Sequence, residues 1–99
     1  MIHEIAILTI DPERAAAFEA AVASATPYFR SAEGCHSLSL EREIEDPSRY
    51  YLFVQWESVE HHTVKFRGSA GYRAWRELAS PFFAAPPVVT HTHVVTRDP

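Results

Sequence analysis

The chain has 99 residues, a net charge of −4 at neutral pH and one cysteine, Cys35. This length suits a single domain over residues 1–99, and 46% hydrophobic residues suffice for a core. The negative charge and the lack of a Lys/Arg cluster argue against a nucleic-acid partner. One cysteine excludes an intramolecular disulfide. The N-terminal apolar run is too short for a signal peptide or membrane span, so we expect a cytoplasmic protein without a membrane partner.

The first third of the chain predicts a strand followed by a helix. The run IHEIAILTI (2–10) is short and rich in Ile and Leu, which favours a strand. Asp11 can cap a helix, and Pro12 suits the first helical position. An apolar stripe at helical spacing follows, formed by Phe18, Val22, Ala25 and Phe29. Pro27 lies inside this pattern and is expected to kink or end the helix, with Gly34 as the exit.

The rest of the chain predicts a hairpin, two helices and a last strand. CHSLSLEREI (35–44) alternates in polarity, and YYLFVQWE (50–57) is rich in aromatic and β-branched residues, so both are predicted strands. A helix is predicted from Ser58 to about Arg67, and a second short helix over 69–80. VVTHTHVVT (88–96) is the last predicted strand.

The order β-α-β-β-α-α-β predicts an α+β fold of the ferredoxin-like type. Such a fold has a four-stranded antiparallel sheet with helices on one face. The third predicted strand is apolar on both faces, with Tyr51 and Phe53 on one side and Leu52, Val54 and Trp56 on the other. The face without helices then exposes apolar side chains to water unless another molecule covers it, which favours a sheet-to-sheet homodimer.

Several stretches together resemble the antibiotic biosynthesis monooxygenase family of dimeric α/β barrels. They are MIHEIAILTIDPERAAAFEAA, the block YYLFVQWESVEHHTVKFRGSAGYRAWREL, and APPVVTHTHVV near the end. The resemblance covers nearly the whole chain, and the junction of strand, Trp-Glu-Ser and helix is its most telling part. It implies a homodimer with a pocket in each subunit, between the sheet and the helices.

The resemblance predicts the fold better than the reaction. Characterised relatives oxidise aromatic polyketides or quinols with molecular oxygen and without metal or flavin. Others degrade haem, isomerise small metabolites or have no known activity. The haem-degrading branch relies on an Asn in the first strand, which this chain lacks, and on a Trp and a His at positions that align near Phe66 and Arg76. Haem degradation is therefore not expected.

The adjacent histidines His61 and His62 are predicted to have different surroundings. Neighbours on a helix point about 100° apart and cannot both face one ligand. Val59, His62 and Phe66 share the inward stripe, so we expect His62 to face the core or a pocket and His61 to lie nearer solvent. His62 is then either a half-buried histidine bonded to a neighbouring acceptor or a base in the pocket.

His91 and His93 are one residue apart on a predicted strand and share a sheet face. This spacing suits metal ligands, but a third ligand would have to come from elsewhere, and we predict no metal site. The expectation is that one of the two lines the pocket and the other lies near the end of the strand.

Aromatic residues are dense between positions 56 and 83, either as core or as the wall of a cavity for a flat ligand. The predicted substrate contacts are Trp56, Phe66, Trp75, Phe82 and Phe83. Tyr72 and Arg76 add polar groups suited to stabilising an oxyanion.

The leading hypothesis is a cofactor-independent monooxygenase acting on an aromatic polyketide, anthrone or hydroquinone. A base must remove a proton before the anion can give an electron to oxygen, and a histidine with an ordinary pKa of about 6.5 is suited to that task. His62 is the first candidate and His91 the second. No Gly-rich phosphate loop is present, so no flavin or nicotinamide cofactor is predicted.

Two alternatives remain open at this point. One is a non-catalytic small-molecule binding protein, and the other is an isomerase of a small polar metabolite that uses the same histidine as acid and base. A large flat cavity would favour an aromatic ligand, whereas a small polar cavity would favour the isomerase.

Overall fold

The computed structural model of the protein describes residues 1–98 and contains one four-stranded antiparallel sheet. The strands are β1 (Ile2–Thr9), β2 (Cys35–Arg42), β3 (Arg49–Trp56) and β4 (Val88–Thr92), in the spatial order β2-β3-β1-β4. Helix α1 (Ala15–Arg30), a π-helical segment (His61–Phe66) and helix α2 (Ala70–Ala79) complete the fold, with 3-10 turns at Pro12–Arg14 and Ser80–Phe82. The predicted α+β, ferredoxin-like class is confirmed.

The two faces of the sheet differ in burial because side chains alternate along each strand. On the helix side, β1 contributes Glu4, Ala6 and Leu8, all buried. The inward residues of β3 are at most 1% exposed: Tyr50, Leu52, Val54 and Trp56. On the other face, Ile5 of β1 pairs with Phe53 of β3, and both are only half-buried. The core therefore lies between the sheet and the helices.

Helix α1 packs as its sequence predicts, and a capped 3-10 turn leads into it. Asp11 caps this turn (Pro12–Arg14), because its Oδ1 accepts a hydrogen bond from the Glu13 amide at 3.0 Å, and α1 itself begins at Ala15 without a side-chain cap. The four residues of the apolar stripe are all buried. The helix does not end at Pro27 but continues through Arg30. A proline so close to the C-terminus removes one intrahelical hydrogen bond, and its carbonyl still accepts a bond from the Ser31 amide at 3.0 Å.

Two other predicted elements differ from those observed. The segment after β3 is π-helical from His61 to Phe66, where an ordinary α-helix was predicted, and the Arg67 amide donates to the carbonyl of His62, five residues back. The last strand ends at Thr92, well before residue 96. Its partner β1 begins at Ile2, and the pairing of His3 with Thr92 is the last in the ladder, so little of β1 remains to hold a longer strand.

The helices are joined to the sheet by a cluster of aromatic rings. Phe29 of α1 contacts Phe66 and Trp75 at centroid distances of 4.7 and 5.2 Å. Phe66 also lies 5.3 Å from Trp56 at the end of β3. Such tilted and edge-to-face pairs stabilise a core beyond the area that they bury. None of the helices within residues 1–98 combines the length and apolarity that crossing a bilayer would require.

Candidate functional site

A small cavity lies between the inward face of β1 and the segments that precede and form α2. Its floor consists of apolar strand residues, namely Ala6, Leu8, Leu52 and Val89. Its wall combines aromatic and charged side chains, which are Glu4, Phe29, His62, Phe66, Arg67, Tyr72, Trp75, Arg76 and Phe83, together with Pro87. The free volume is about 50 Å³. This is room for one or two water molecules, and far less than the roughly 300–1,000 Å³ typical of ligand pockets.

Glu4 is a buried acid in the wall of this cavity, and sequence reasoning did not select it. Its carboxyl oxygen Oε1 accepts a hydrogen bond from Trp56 Nε1 at 2.9 Å and lies 3.3 Å from His62 Nε2. Burial raises the pKa of Glu4, although the Trp56 hydrogen bond and the charge of Arg67 act in the opposite direction. The available signal was its position between Ile2 and Ala6 on the inward face of an otherwise apolar strand.

The second carboxyl oxygen of Glu4, Oε2, takes part in neither of these contacts. Both close protein contacts of the carboxyl group use Oε1. Within residues 1–98 every fully buried side-chain nitrogen or oxygen has a hydrogen-bond partner, and Oε2 is not among the bonded atoms. Oε2 is therefore not fully buried, and because Glu4 lines the cavity we expect this oxygen to meet a water molecule or a ligand there.

His62 is buried, as the inward stripe predicted, and is 3% exposed. Its ring stacks on Trp56 with the planes only 14° apart. Nδ1 lies 2.8 Å from His91 Nε2, within hydrogen-bonding distance, while Nε2 faces Glu4. Burial, reinforced by the positive charge of Arg67, lowers the pKa of His62 to about 4. The expectation of an ordinary histidine pKa was therefore wrong, and His62 is neutral at pH 7.

His91 reaches the same cluster from the edge strand of the sheet. It is the direct cross-strand partner of Glu4, and an inward residue of β4 must lie beside an inward residue of β1. Its side chain is half-buried, and its pKa is also lowered by burial and by Arg67. The two histidines that the sequence selected separately, 29 positions apart, are thus neighbours in the fold.

The other residues selected from the sequence divide into two groups. Phe66, Tyr72, Trp75, Arg76 and Phe83 all line the cavity. Trp56 and Phe82 do not. Trp56 is fully buried behind His62, and Phe82 packs against Phe18 at 5.9 Å and beneath the Arg14 guanidinium. A direct substrate contact by these two residues is not supported.

The remaining histidines lie away from the cavity. His61 is half-buried and not a plain surface residue, because its Nδ1 lies 2.7 Å from Ser58 Oγ and its ring packs against Gly34. Gly34 has φ +81°, and a Cβ there would lie 2.5 Å from the imidazole. His93 is exposed, just beyond the end of β4. In the described part of the chain, no three His, Cys, Asp or Glu side chains are grouped so as to hold a metal ion.

Comparison with known proteins shows the family to which the chain belongs. The sequence profile described as "Antibiotic biosynthesis monooxygenase" matches residues 1–78. The chain belongs to the antibiotic biosynthesis monooxygenase family. A proposed antibiotic biosynthesis monooxygenase from Bordetella bronchiseptica is 49% identical, with 96% of this chain and 97% of that one covered, and its crystal structure superimposes with a TM-score of 0.93.

Two other proteins are also similar to this chain. YczJ of Bacillus subtilis strain 168, described as uncharacterized, is 36% identical over 91 residues, which are 92% of this chain and 96% of YczJ. SnoaB of Streptomyces nogalater, a cofactor-independent oxygenase, superimposes with a TM-score of 0.80 over 99% of this chain and 96% of its own, at 14% identity. At that identity the likeness shows a shared fold only.

Proposed function

We propose that this family member is a cofactor-independent monooxygenase that acts, as a homodimer, on a small electron-rich aromatic compound of the hydroquinone type. The observation that carries the proposal is the buried Glu4–His62 pair, which opens onto a cavity with aromatic walls. A carboxyl group beside an imidazole is an arrangement suited to removing a proton from a bound hydroxyl group. Membership of the family supports oxygenation as the step that follows.

The pair, and not His62 alone, is the proposed proton acceptor. An imidazole with a pKa of about 4 is a weak base toward a phenolic hydroxyl, whose own pKa is about 10. Glu4 supplies the base, because burial raises the pKa of its carboxyl group and so makes its carboxylate a stronger proton acceptor, while His62 stays neutral 3.3 Å away. His91 remains in the proposed catalytic set through its contact with His62.

Tyr72 and Arg76 are proposed to stabilise the substrate oxyanion. Both lie on α2 and line the cavity opposite the strand floor. The Arg76 guanidinium lies 5.7 Å from the centre of the Phe83 ring, which orients it along the cavity wall. A hydroxyl donor and a guanidinium at this position would favour the anion that must form before an electron can pass to oxygen. One oxygen atom would enter the ring and the other would leave as water. The substrate would supply all four electrons, so a hydroquinone would end as a hydroxyquinone.

The size of the cavity limits the substrate. A volume near 50 Å³ cannot hold a three-ring anthrone or a polyketide unless the wall moves. The wall between Phe83 and Pro87 has no regular structure beyond a single bridge, and the residues between these two are exposed. It is therefore the part of the wall that we expect to move most easily. Single-ring quinols need the smallest movement, so they are favoured over the larger classes.

The homodimer is supported by the face of the sheet that carries no helices. Ile5, Ile7, Tyr51 and Phe53 form an apolar patch across β1 and β3, and each is only half-buried in the single chain. Contiguous apolar surface of this kind is typical of an interface. A second copy placed face to face would cover the patch and leave the cavity of each subunit on its own helix side.

The small size and charged lining of the cavity favour one second candidate. An isomerase of a small polar metabolite would use Glu4 and His62 as acid and base, and Arg67 and Arg76 to hold an anionic group. It differs from the monooxygenase in consuming no oxygen. Non-catalytic binding is the third outcome, distinguished by retention of the ligand without turnover.

Oxygen consumption with methylhydroquinone tests the proposal. We expect uptake by the native chain, incorporation of one atom of ¹⁸O from labelled oxygen into the product, and a loss of about 100-fold or more in His62→Gln. The control is His93→Gln, which changes an exposed histidine outside the cavity. Binding without uptake would contradict oxygenation, and full activity in both His62→Gln and His91→Gln would contradict the residue assignment.

A further inference from the structure

Three titratable groups from three different elements form a continuous row from the cavity to the edge of the sheet. Glu4 lies on β1, His62 in the π-helical segment and His91 on the edge strand β4. The Glu4 Oε1 to His62 Nε2 distance is 3.3 Å, and the His62 Nδ1 to His91 Nε2 distance is 2.8 Å. The second contact is a hydrogen bond, whereas the first has an ion-pair distance but is not aligned as a hydrogen bond. Catalytic contacts are commonly long or poorly aligned before a substrate binds.

We infer that Glu4, His62 and His91 form a proton relay that sets the protonation state of the carboxyl group in the cavity from the solvent side of β4. Each neutral imidazole has one donor nitrogen and one acceptor nitrogen, so it can receive a proton on one side and release one on the other. The path itself is independent of the reaction. Its use, which is to prepare Glu4 as a base, rests on the proposed function.

Two arrangements of protons satisfy the same positions of the heavy atoms. In the first, Glu4 is ionised, His62 carries its proton on Nε2 toward Oε1, and His91 donates from Nε2 to His62 Nδ1. In the second, Glu4 is a carboxylic acid that donates from Oε1, His62 carries its proton on Nδ1 toward His91 Nε2, and His91 carries its own on Nδ1. The second arrangement holds one proton more than the first.

The change from the second arrangement to the first is balanced without any redox step. The O–H bond at Glu4 Oε1 breaks as an N–H bond forms at His62 Nε2. The N–H bond at His62 Nδ1 breaks as one forms at His91 Nε2, and His91 releases its Nδ1 proton to water. Glu4 is left ionised, with Oε2 free to accept a proton in the cavity, and both imidazoles remain neutral throughout.

The surroundings favour transfer through neutral imidazoles. Burial raises the pKa of Glu4 and lowers the pKa of His62, so an acid beside a neutral imidazole is preferred to a carboxylate beside an imidazolium when a proton is added. The positive charge of Arg67 acts against an imidazolium at either histidine. The other polar and titratable groups near the row are the Trp56 indole N–H on β3, the Cys35 thiol on β2, and Tyr72 and Arg76 on α2.

A plain structural role for the three groups makes a different prediction. A buried histidine that only bridges two neighbours keeps its tautomer until it becomes an imidazolium, when both ring nitrogens are protonated together. The relay instead requires His62 to exchange its proton from Nε2 to Nδ1 while it stays neutral, and requires His91 to change in the same transition. Ring ¹⁵N chemical shifts separate protonated from unprotonated nitrogens and therefore distinguish the two cases.

The experiment is a ¹⁵N NMR titration of the full, unliganded chain between pH 8 and pH 4. In the native protein we expect His62 and His91 to switch tautomer together at the pH at which the Glu4 carboxyl ¹³C signal titrates. In Glu4→Gln the joint switch should disappear, because nothing at position 4 can be protonated. The matched control is Glu57→Gln, which removes an exposed carboxylate that contacts His36 at 2.6 Å and should leave the switch intact.

A second pair of variants tests the outer end of the row. His91→Phe keeps an aromatic ring but removes the acceptor of the His62 Nδ1 proton, so the neutral switch at His62 should be lost. His93→Phe makes the same change at an exposed position and should preserve it. Wild-type unfolding midpoints in denaturant would show that the variants are folded.

Several results would overturn the relay. They are a His62 tautomer that stays fixed over this range, direct formation of the imidazolium, and an unchanged switch in Glu4→Gln or His91→Phe. None of these measurements needs a substrate. A native chain that shows the joint switch but consumes no oxygen with methylhydroquinone would contradict the proposed function and leave the relay standing. Oxygen consumption without the switch would contradict the relay alone.

Discussion

Each face of strand β1 carries side chains that are unusual for their surroundings, although Ala6 and Leu8 make the covered face mostly apolar. The covered face holds an ionisable residue, Glu4, at 4% exposure, whereas the face without helices presents Ile5 and Ile7. Burying a carboxyl group costs free energy unless polar partners surround it, and presenting aliphatic side chains to water forgoes the gain from burying them. One strand therefore carries two unfavourable placements, and each indicates a requirement other than the stability of the single chain.

The difference shows how each face is completed. On the covered face, three partners from two other parts of the chain lie near the carboxyl group. They are the Trp56 indole at the end of β3, and His62 and the charge of Arg67 in and directly after the π-helical segment. On the open face, nothing in the single chain covers the apolar patch. The covered face is thus a site that is complete within one subunit. The open face is proposed as the surface that a second copy of the chain covers.

The largest expected effect is the loss of the residue that supports the covered face. Trp56→Ala removes a fully buried indole that stacks on His62 and packs on Phe66. We expect the free energy of unfolding to fall by about 3–5 kcal/mol, as for other large-to-small core changes. Urea unfolding followed by circular dichroism measures it. A loss below about 1 kcal/mol would show that the covered face does not depend on this ring.

The free energy of unfolding is expected to depend on pH because the pKa of His62 is lowered in the folded chain. Its pKa is about 4 in the folded chain against an ordinary 6.5, so the unfolded chain takes up a proton first as the pH falls. The resulting stability is complete above pH 6.5 and is lost as the pH falls from about 6.5 toward 4, by at most roughly 3 kcal/mol. His62→Gln should lack this loss. The raised pKa of Glu4 makes stability increase as the pH falls, and it does so in both proteins. The difference between the two proteins therefore reports the contribution of His62.

Urea unfolding of the native chain and His62→Gln at pH 7 and pH 5 provides the measurement. His93→Gln is the matched control, since His93 is exposed. If the native chain and His62→Gln lose the same stability between the two pH values, the burial of a neutral His62 is not what makes the covered face sensitive to pH.

A smaller effect is expected from Trp56→Phe. This change keeps an aromatic ring beside His62 but removes the N–H that donates to Glu4 Oε1 at 2.9 Å. Leaving a buried acceptor with one partner fewer should destabilise the fold by about 1–3 kcal/mol. The same change should raise the pKa of Glu4 further, because the lost hydrogen bond favours its ionised form. An unchanged carboxyl ¹³C titration of Glu4 would argue against this contact in solution.

The smallest effect on the single chain is expected at the open face. Ile5→Lys places a charge in the apolar patch, and we expect the unfolding free energy of the separated subunit to change by only about 0.5 kcal/mol. Association should be lost, because a charge would be buried in the proposed interface. Analytical ultracentrifugation measures it, with Glu77→Lys at an exposed position of α2, on the helix side of the sheet, as a comparison. A dimer that survives Ile5→Lys would place the interface elsewhere.

Local patterns in the sequence determined most of the fold. The alternation in β3, the stripe of α1 and the Asp11 cap depend on neighbouring residues, and the structure confirms each of them. Element ends were less predictable because they depend on partners. The last strand ends where β1 runs out, and the segment from His61 to Phe66 is wound as a π-helix instead of an α-helix.

The candidate site depended on contacts between distant parts of the chain. Helical spacing was enough to turn His62 inward, and strand position selected His91 as a candidate. Only the pairing of β4 with β1 placed His91 opposite Glu4, and only the packing of the π-helical segment on the sheet brought His62 between them. Burial and the charge of Arg67 then changed the pKa values of all three groups. The sequence by itself determined the fold class and the inward-facing histidine, because periodicity is local. The tertiary structure decided the acid beside that histidine, because burial and electrostatic interactions act between residues far apart in the chain.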